Sequence, residues 1–258
     1  MSKIKQAFEN KKAFIAFITC GDPDLETTEA AIRAAVSGGA DLIELGIPFS
    51  DPTAEGPVIQ GANLRALKGG ITTDKIFAFV ENLRQDITVP MVFMTYSNVV
   101  FSYGAEAFLS ACSRLSIDGL ILPDLPFEEK EEFLPVCQKY GVDLISLIAP
   151  TSKDRIAKIA KEAEGFLYIV SSLGVTGVRT EIQTDLKAIV DIVRQNTSIP
   201  CAIGFGISTP VQTRDMAKLA DGVIVGSAIV KFLEQYGSDA PEHIGSYVKS
   251  MTEAMNSL

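Results

Sequence analysis

A chain of 258 residues, 47% of them hydrophobic, is too long for one small helical bundle and fits one large α/β domain or two small ones. A formal net charge of −9 and a pI near 4.8, with no long basic run, argue against nucleic-acid binding through a general electrostatic footprint. The opening MSKIKQAFENKKAF has no apolar signal core, and no run of about 18 apolar residues occurs anywhere, so a soluble, cytoplasmic protein that engages no membrane is expected.

An N-terminal helix over about residues 2–10 precedes the first apolar run, AFIAFIT (13–19). The helix-like LETTEAAIRAAVSGG leads to DLIELG (41–46), whose Glu44 stands at the end of a buried strand with Asp51 and Glu55 in the proline-rich loop that follows. TTDKIFAFVENLRQ is the next amphipathic stretch, before PMVFMTY (90–96) and DGLILPD (118–124). EEKEEFLPVCQKYG then leads to VDLISLIA (142–149), followed by GFLYIVSS (165–172) and PCAIGFG (200–206). TPVQTRDMAKLADG opens on a Thr-Pro helix-start signal and precedes DGVIVGS (221–227). Ser227 opens the helix SAIVKFLEQ, and a C-terminal helix covers about 240–256.

Each of the apolar runs is nearly continuous, as strands buried on both faces are. Eight strands alternating with helices predict a (β/α)8 TIM barrel with an extra N-terminal helix and a C-terminal helix, as a single domain over 1–258. No linker or shift in composition divides it. The alternative, an open doubly wound sheet, has fewer strands and an early glycine-rich turn, whereas the glycine-rich turns here come late. Cys20, Cys112, Cys137 and Cys201 form no CxxC pair and read as free, mostly buried thiols in a reducing compartment.

Barrel chemistry gathers at the C-terminal ends of the strands. Three glycine-bearing turns follow the last three strands: GVTG (174–177), GFG (204–206) and GS (226–227). Each alone is an ordinary turn. Together at one barrel end they predict a phosphate site built from backbone N–H groups and a helix N-terminus, with a donor from the Ser227 hydroxyl.

The residues missing from that end narrow the chemistry. A metal-dependent aldolase wants several His ligands, and the only histidine, His243, falls in the C-terminal helix as a surface residue. A Schiff base needs a lysine at the barrel mouth, yet Lys11 and Lys12 lie at the opposite end and no lysine ends a strand. Carboxylate, hydroxyl and backbone remain, which is metal-free acid–base chemistry. Glu44 is the first candidate because apolar flanks raise a carboxyl pKa toward the range where protons transfer both ways. The competing assignment is a strand-end glutamate paired with a neighbouring cation. Asp51, in S-D-P, reads as turn chemistry.

PFSDPTAEGPVIQ after a strand-end glutamate, followed by GVTG, GFGIS and GSAIV, resembles the tryptophan synthase alpha subunit family. FIAFITCGDP, the Tyr96-Ser97-Asn98 strand end and LPDLPFEE extend the likeness along nearly the whole chain. The resemblance implies a barrel lyase that splits indole-3-glycerol phosphate into indole and glyceraldehyde 3-phosphate. It implies no cofactor in this chain and a tryptophan synthase beta subunit as partner in an α2β2 assembly, that partner carrying pyridoxal phosphate and receiving indole through a tunnel.

The resemblance also assigns roles. Glu44 matches the glutamate that protonates the indole ring carbon and handles the glycerol hydroxyl proton. Glu55 stands where the family usually has aspartate, one methylene or about 1.5 Å longer, and is expected to stabilise positive charge at the indole N–H. Gly177, Gly206, Gly226 and Ser227 match phosphate-binding positions. Phe17, Met94, Ile121, Leu147, Tyr168, Phe205 and Ile224 match the indole pocket; without the family each reads as barrel core. Thr176 matches a loop threonine that bonds the second acid, and loops 48–57 and 174–190 match mobile lids. Two alternatives stay open: another barrel lyase or isomerase with a carboxylate pair, and a catalytically weakened subunit that serves to activate its partner.

Overall fold

The apolar runs become strands that are buried on both faces, because the barrel lumen lies on one side and a ring of helices on the other. The computed structural model describes residues 3–171, 185–204 and 206–257. Among these, eight parallel strands close in chain order: β1 (Ala13–Thr19), β2 (Leu42–Gly46), β3 (Met91–Met94), β4 (Gly119–Ile121), β5 (Asp143–Ile148), β6 (Leu167–Val170), β7 (Cys201–Gly204) and β8 (Gly222–Val225), which pairs back to β1. The expected (β/α)8 barrel is therefore present. Most strands are shorter than their apolar runs; the fourth keeps only three residues of the seven in 118–124. Some of the excess residues run on into the rim loops and stay buried there, as Thr95 and Tyr96 do after β3.

Side chains alternate across each strand. Ala13, Ile15 and Phe17 point into the lumen, while Phe14, Ala16 and Ile18 pack against helices. On β2 the same alternation puts Leu42 in the lumen, so Glu44, two residues on, points there too. That parity is what carries a carboxylate into the barrel.

The helices start and stop where local chemistry dictates. In α1 (Ile4–Phe8), α2 (Leu25–Ser37) and α3 (Pro57–Lys68), the second is capped by Asp24, whose side chain accepts from Thr27 N–H, and the third begins with proline at its first position after Gly56. The expected helix over 128–141 divides into a 3-10 segment, Phe127–Glu132, and a helix, Leu134–Tyr140, because Pro135 starts a new first turn. Gly104, at φ +92°, separates Ser97–Tyr103 from Ala105–Arg114.

The N-terminal helix is more than a decoration. Ile4 is fully buried against Gly119 and Gly165 at the N-terminal end of the barrel, where an added Cβ on either glycine would lie 3.1 Å or 3.0 Å from Ile4 Cδ1. Phe8 packs on Phe166 at 5.8 Å. The helix plugs the lumen from below, leaving the opposite end for chemistry. The C-terminal helix, Ala240–Asn256, lies against α2, with Thr252 Oγ1 donating to the Gly38 carbonyl at 2.9 Å. All four cysteines are free and buried. No helix among the described residues is long and apolar enough to cross a membrane.

Candidate active site

Glu44 is 1% exposed, and neither of its carboxylate oxygens has a hydrogen-bond partner among the described residues. Its register partner on β1 is Phe17, and on β3 it is Val92. A carboxylate in such surroundings resists ionisation, and burial, with a smaller contribution from the charge of Glu55, pushes the Glu44 pKa up to about 8. The assignment as one half of an ion pair with a neighbouring cation is thereby ruled out within the described structure.

Glu55 reaches the same cavity from the loop between β2 and α3. It is 6% exposed, and burial raises its pKa to about 7 while a hydrogen bond from Asn63 opposes the rise. Asn63 Nδ2 donates to Glu55 Oε2 at 2.7 Å. The backbone on either side is also held: Ala54 N–H donates to the Tyr96 hydroxyl at 2.9 Å, and Gln60 Nε2 donates to the Glu55 carbonyl at 2.7 Å. Tyr96 in turn stacks on Phe49 with ring centroids 5.1 Å apart. The longer side chain thus still places its carboxylate in the cavity.

The cavity holds about 470 Å³ of empty space, a figure that includes the open solvent at its mouth. It brings together Phe17, Glu44, Glu55, Met94, Tyr168, Gly206, Ile224, Gly226 and Ser227. The lining combines two acids, apolar side chains, glycines and a hydroxyl. Room for the two aromatic side chains comes from rim glycines: a Cβ on Gly46 would sit 2.7 Å from Phe17 Cζ, and one on Gly204 would sit 2.6 Å from the Tyr168 hydroxyl. Gly206 has φ +82°, a conformation that favours glycine. Gly226 precedes the helix Ser227–Tyr236, whose N-terminus presents backbone N–H groups and the positive end of its dipole.

Other expected positions fall elsewhere. Leu147 is half-buried and lines a neighbouring cavity that shares Met94, between β4, β5 and the segments after them. Ile121 is fully buried in the lumen cluster, away from the cavity lining. Thr176, Gly177 and Phe205, and with them the GVTG turn, lie outside the described residues. Asp51 is exposed, bonded to Ser50 Oγ, and lines a surface depression with Phe49 and Leu64, apart from the cavity. His243 stacks on Tyr236 at 3.9 Å on the C-terminal helix. Among the described residues no group of three His, Cys, Asp or Glu side chains is arranged to hold a metal ion.

Five participants were not singled out as site residues in the sequence: Ile59, Ile207, Gln60, Asn63 and Tyr96. For Asn63 a signal exists. It interrupts the buried stripe Ile59, Ala62, Ala66 of α3, where an unpaired amide would be costly.

A family model described as "Tryptophan synthase alpha chain" matches residues 1–257. The tryptophan synthase alpha chain of Lacticaseibacillus casei is 51% identical over 256 residues, covering 99% of this chain and 96% of that one. The alpha chain of Lactiplantibacillus plantarum is 48% identical over 257 residues, covering 99% and 97%. Among solved structures, tryptophan synthase subunit alpha from Legionella pneumophila str. Paris superposes with a TM-score of 0.91 at 37% identity over the whole of both chains. A tryptophan synthase structure from Mycobacterium tuberculosis matches with a TM-score of 0.89 at 33% identity, covering 98% of each chain.

Proposed function

The chain belongs to the tryptophan synthase alpha chain family, and on that premise we propose that Glu44 and Glu55 together run the cleavage. The reaction is a lyase reaction: indole-3-glycerol phosphate gives indole and glyceraldehyde 3-phosphate, a step of tryptophan biosynthesis. The observation that supports the assignment of roles is the pairing, in one cavity, of a buried carboxyl with no hydrogen-bond partner among the described residues and a second carboxyl that accepts from Asn63.

In this reading Glu44 enters protonated and gives its proton to the ring carbon that bears the glycerol side chain. The ring nitrogen then carries positive charge, and ionised Glu55 stabilises it from the other wall. Glu44, now a carboxylate, takes the proton of the adjacent hydroxyl. The carbonyl of glyceraldehyde 3-phosphate forms as the carbon–carbon bond breaks, and the bonding pair restores the aromatic ring of indole. Glu44 ends with the proton count it began with. The apolar walls, Phe17, Met94, Tyr168 and Ile224, exclude water and strengthen each electrostatic contact. Gly206, Gly226 and Ser227 hold the phosphate at the opposite end of the cavity, and Gly177, Thr176 and Phe205 are assigned to the same site by family position alone.

Every step uses this chain's own side chains, so the proposal gives the chain no cofactor. It works with a tryptophan synthase beta subunit as an α2β2 assembly in the cytoplasm, a setting in which four buried thiols stay reduced. The test is indole release from indole-3-glycerol phosphate by the purified chain with the beta partner present. Release is expected; its absence overturns the reading.

A further inference from the structure

Three side chains hold Glu55, and the mechanism above gives none of them a part. Tyr96 and Gln60 fix the backbone on its two sides. Among the described residues Asn63 alone donates to the carboxylate, at 2.7 Å, and it is itself only 4% exposed. A buried amide needs a partner, and among the described residues Glu55 is the one this amide has.

The groups facing the pair are few. Glu44 comes from β2, Tyr96 from the end of β3, and Tyr168, beside Glu44, from β6. No cation among the described residues is a cause of the shift of either carboxyl group. Two acids that line one cavity, with no cation beside them among the described residues, disfavour double ionisation, and the singly protonated pair has two forms of equal charge. An amide N–H gains most from an ionised oxygen, so its placement on one acid selects between those forms.

We infer that Asn63 is a positioning residue that decides which member of the pair carries the shared proton, holding Glu55 ionised and the proton on Glu44. This inference rests on the roles proposed above for the two acids. In the selected form Glu44 has a proton to give and Glu55 has charge to set against the ring nitrogen. In the other form Glu44 has nothing to donate, although fold and net charge are the same.

The test compares Asn63→Leu, similar in volume and without a donor, with Asn63→Gln, which keeps the amide. Thermal unfolding checks each variant, and Asn63→Ser, too short to reach the carboxylate, replaces the Leu variant if that fails to fold. Loss of the donor is expected to lower kcat about tenfold, the order for one hydrogen bond to a charged group. KM should change less than about threefold, and the acid limb of the kcat/KM profile should move to higher pH as Glu55 becomes easier to protonate. Asn63→Gln should recover part of the rate and move the limb back. A donor-free variant whose pH profile superimposes on that of the wild type, whatever its rate, overturns the inference. Glu55→Gln run alongside separates the two levels: wild-type turnover there overturns the second-acid role itself, whereas an inactive Glu55→Gln with an unshifted Asn63→Leu profile overturns only the part given to Asn63.

Discussion

Phe17 and Glu44 are register partners on neighbouring parallel strands, and both line the same cavity at the barrel mouth. The phenyl ring lies over the Cα of Gly46, where no side chain competes with it. A carboxyl buried in an apolar lumen prefers to hold its proton, and in the proposed mechanism it gives that proton to a substrate ring entering the same space.

The pH profile follows from the pair. The proposed roles require Glu44 protonated and Glu55 ionised, and burial pushes their pKa values up to about 8 and about 7. The kcat/KM of the free chain is therefore expected to be a narrow bell, rising through about 7 and falling through about 8, with both limbs belonging to the coupled pair. Steady-state assays across this range check it. A plateau extending from pH 5 to 7 would contradict the ionised role of Glu55.

Stability should carry the opposite mark of the same residue. The folded-state pKa of Glu44 is raised from 4.5 to about 8, so between those values the folded chain keeps a proton the unfolded chain has lost. By linkage, stability falls as pH rises through that window and levels off above it. Glu44→Gln removes the titration. Its stability relative to wild type should increase from pH 5 to pH 9 by an amount on the order of 4 kcal/mol. Urea midpoints at the two pH values measure the difference, and an unchanged gap would mean that Glu44 ionises freely in the fold.

Gly204→Ala probes the aromatic wall. The new methyl would fall 2.6 Å from the Tyr168 hydroxyl, and that buried ring leaves little room for it. Tyr168 should be pushed into the cavity, raising KM for the substrate about tenfold and lowering stability by about 1–3 kcal/mol. Unchanged kinetics would show that the ring moves away from the cavity instead.

Much of this arrangement is legible in the sequence because the barrel imposes a simple pattern. Runs such as DLIELG and DGVIVGS are apolar on both faces, and a polar residue at the end of such a run, Glu44, stands out against them. Gly204 is legible for a related reason: a side chain there would collide with Tyr168. Contacts between residues far apart in the chain leave no such trace. Ile4 fits against Gly119 and Gly165, more than a hundred residues away, so the role of the first helix as a plug emerges only from the closed lumen. Leu147 and Ile121 share the inward parity of the other pocket residues, but depth along the strand decides which cavity, if any, each one meets. The division of 128–141 at Pro135 turns on a single residue inside an otherwise helical pattern.

The most direct measurement is the rate of indole formation by Glu44→Gln, with its fold verified by circular dichroism and with the beta partner present. The account predicts a loss on the order of 10²–10⁴, the share that a positioned acid–base group supplies. Turnover within a few-fold of wild type would contradict it, and the proton would have to come from elsewhere in the cavity.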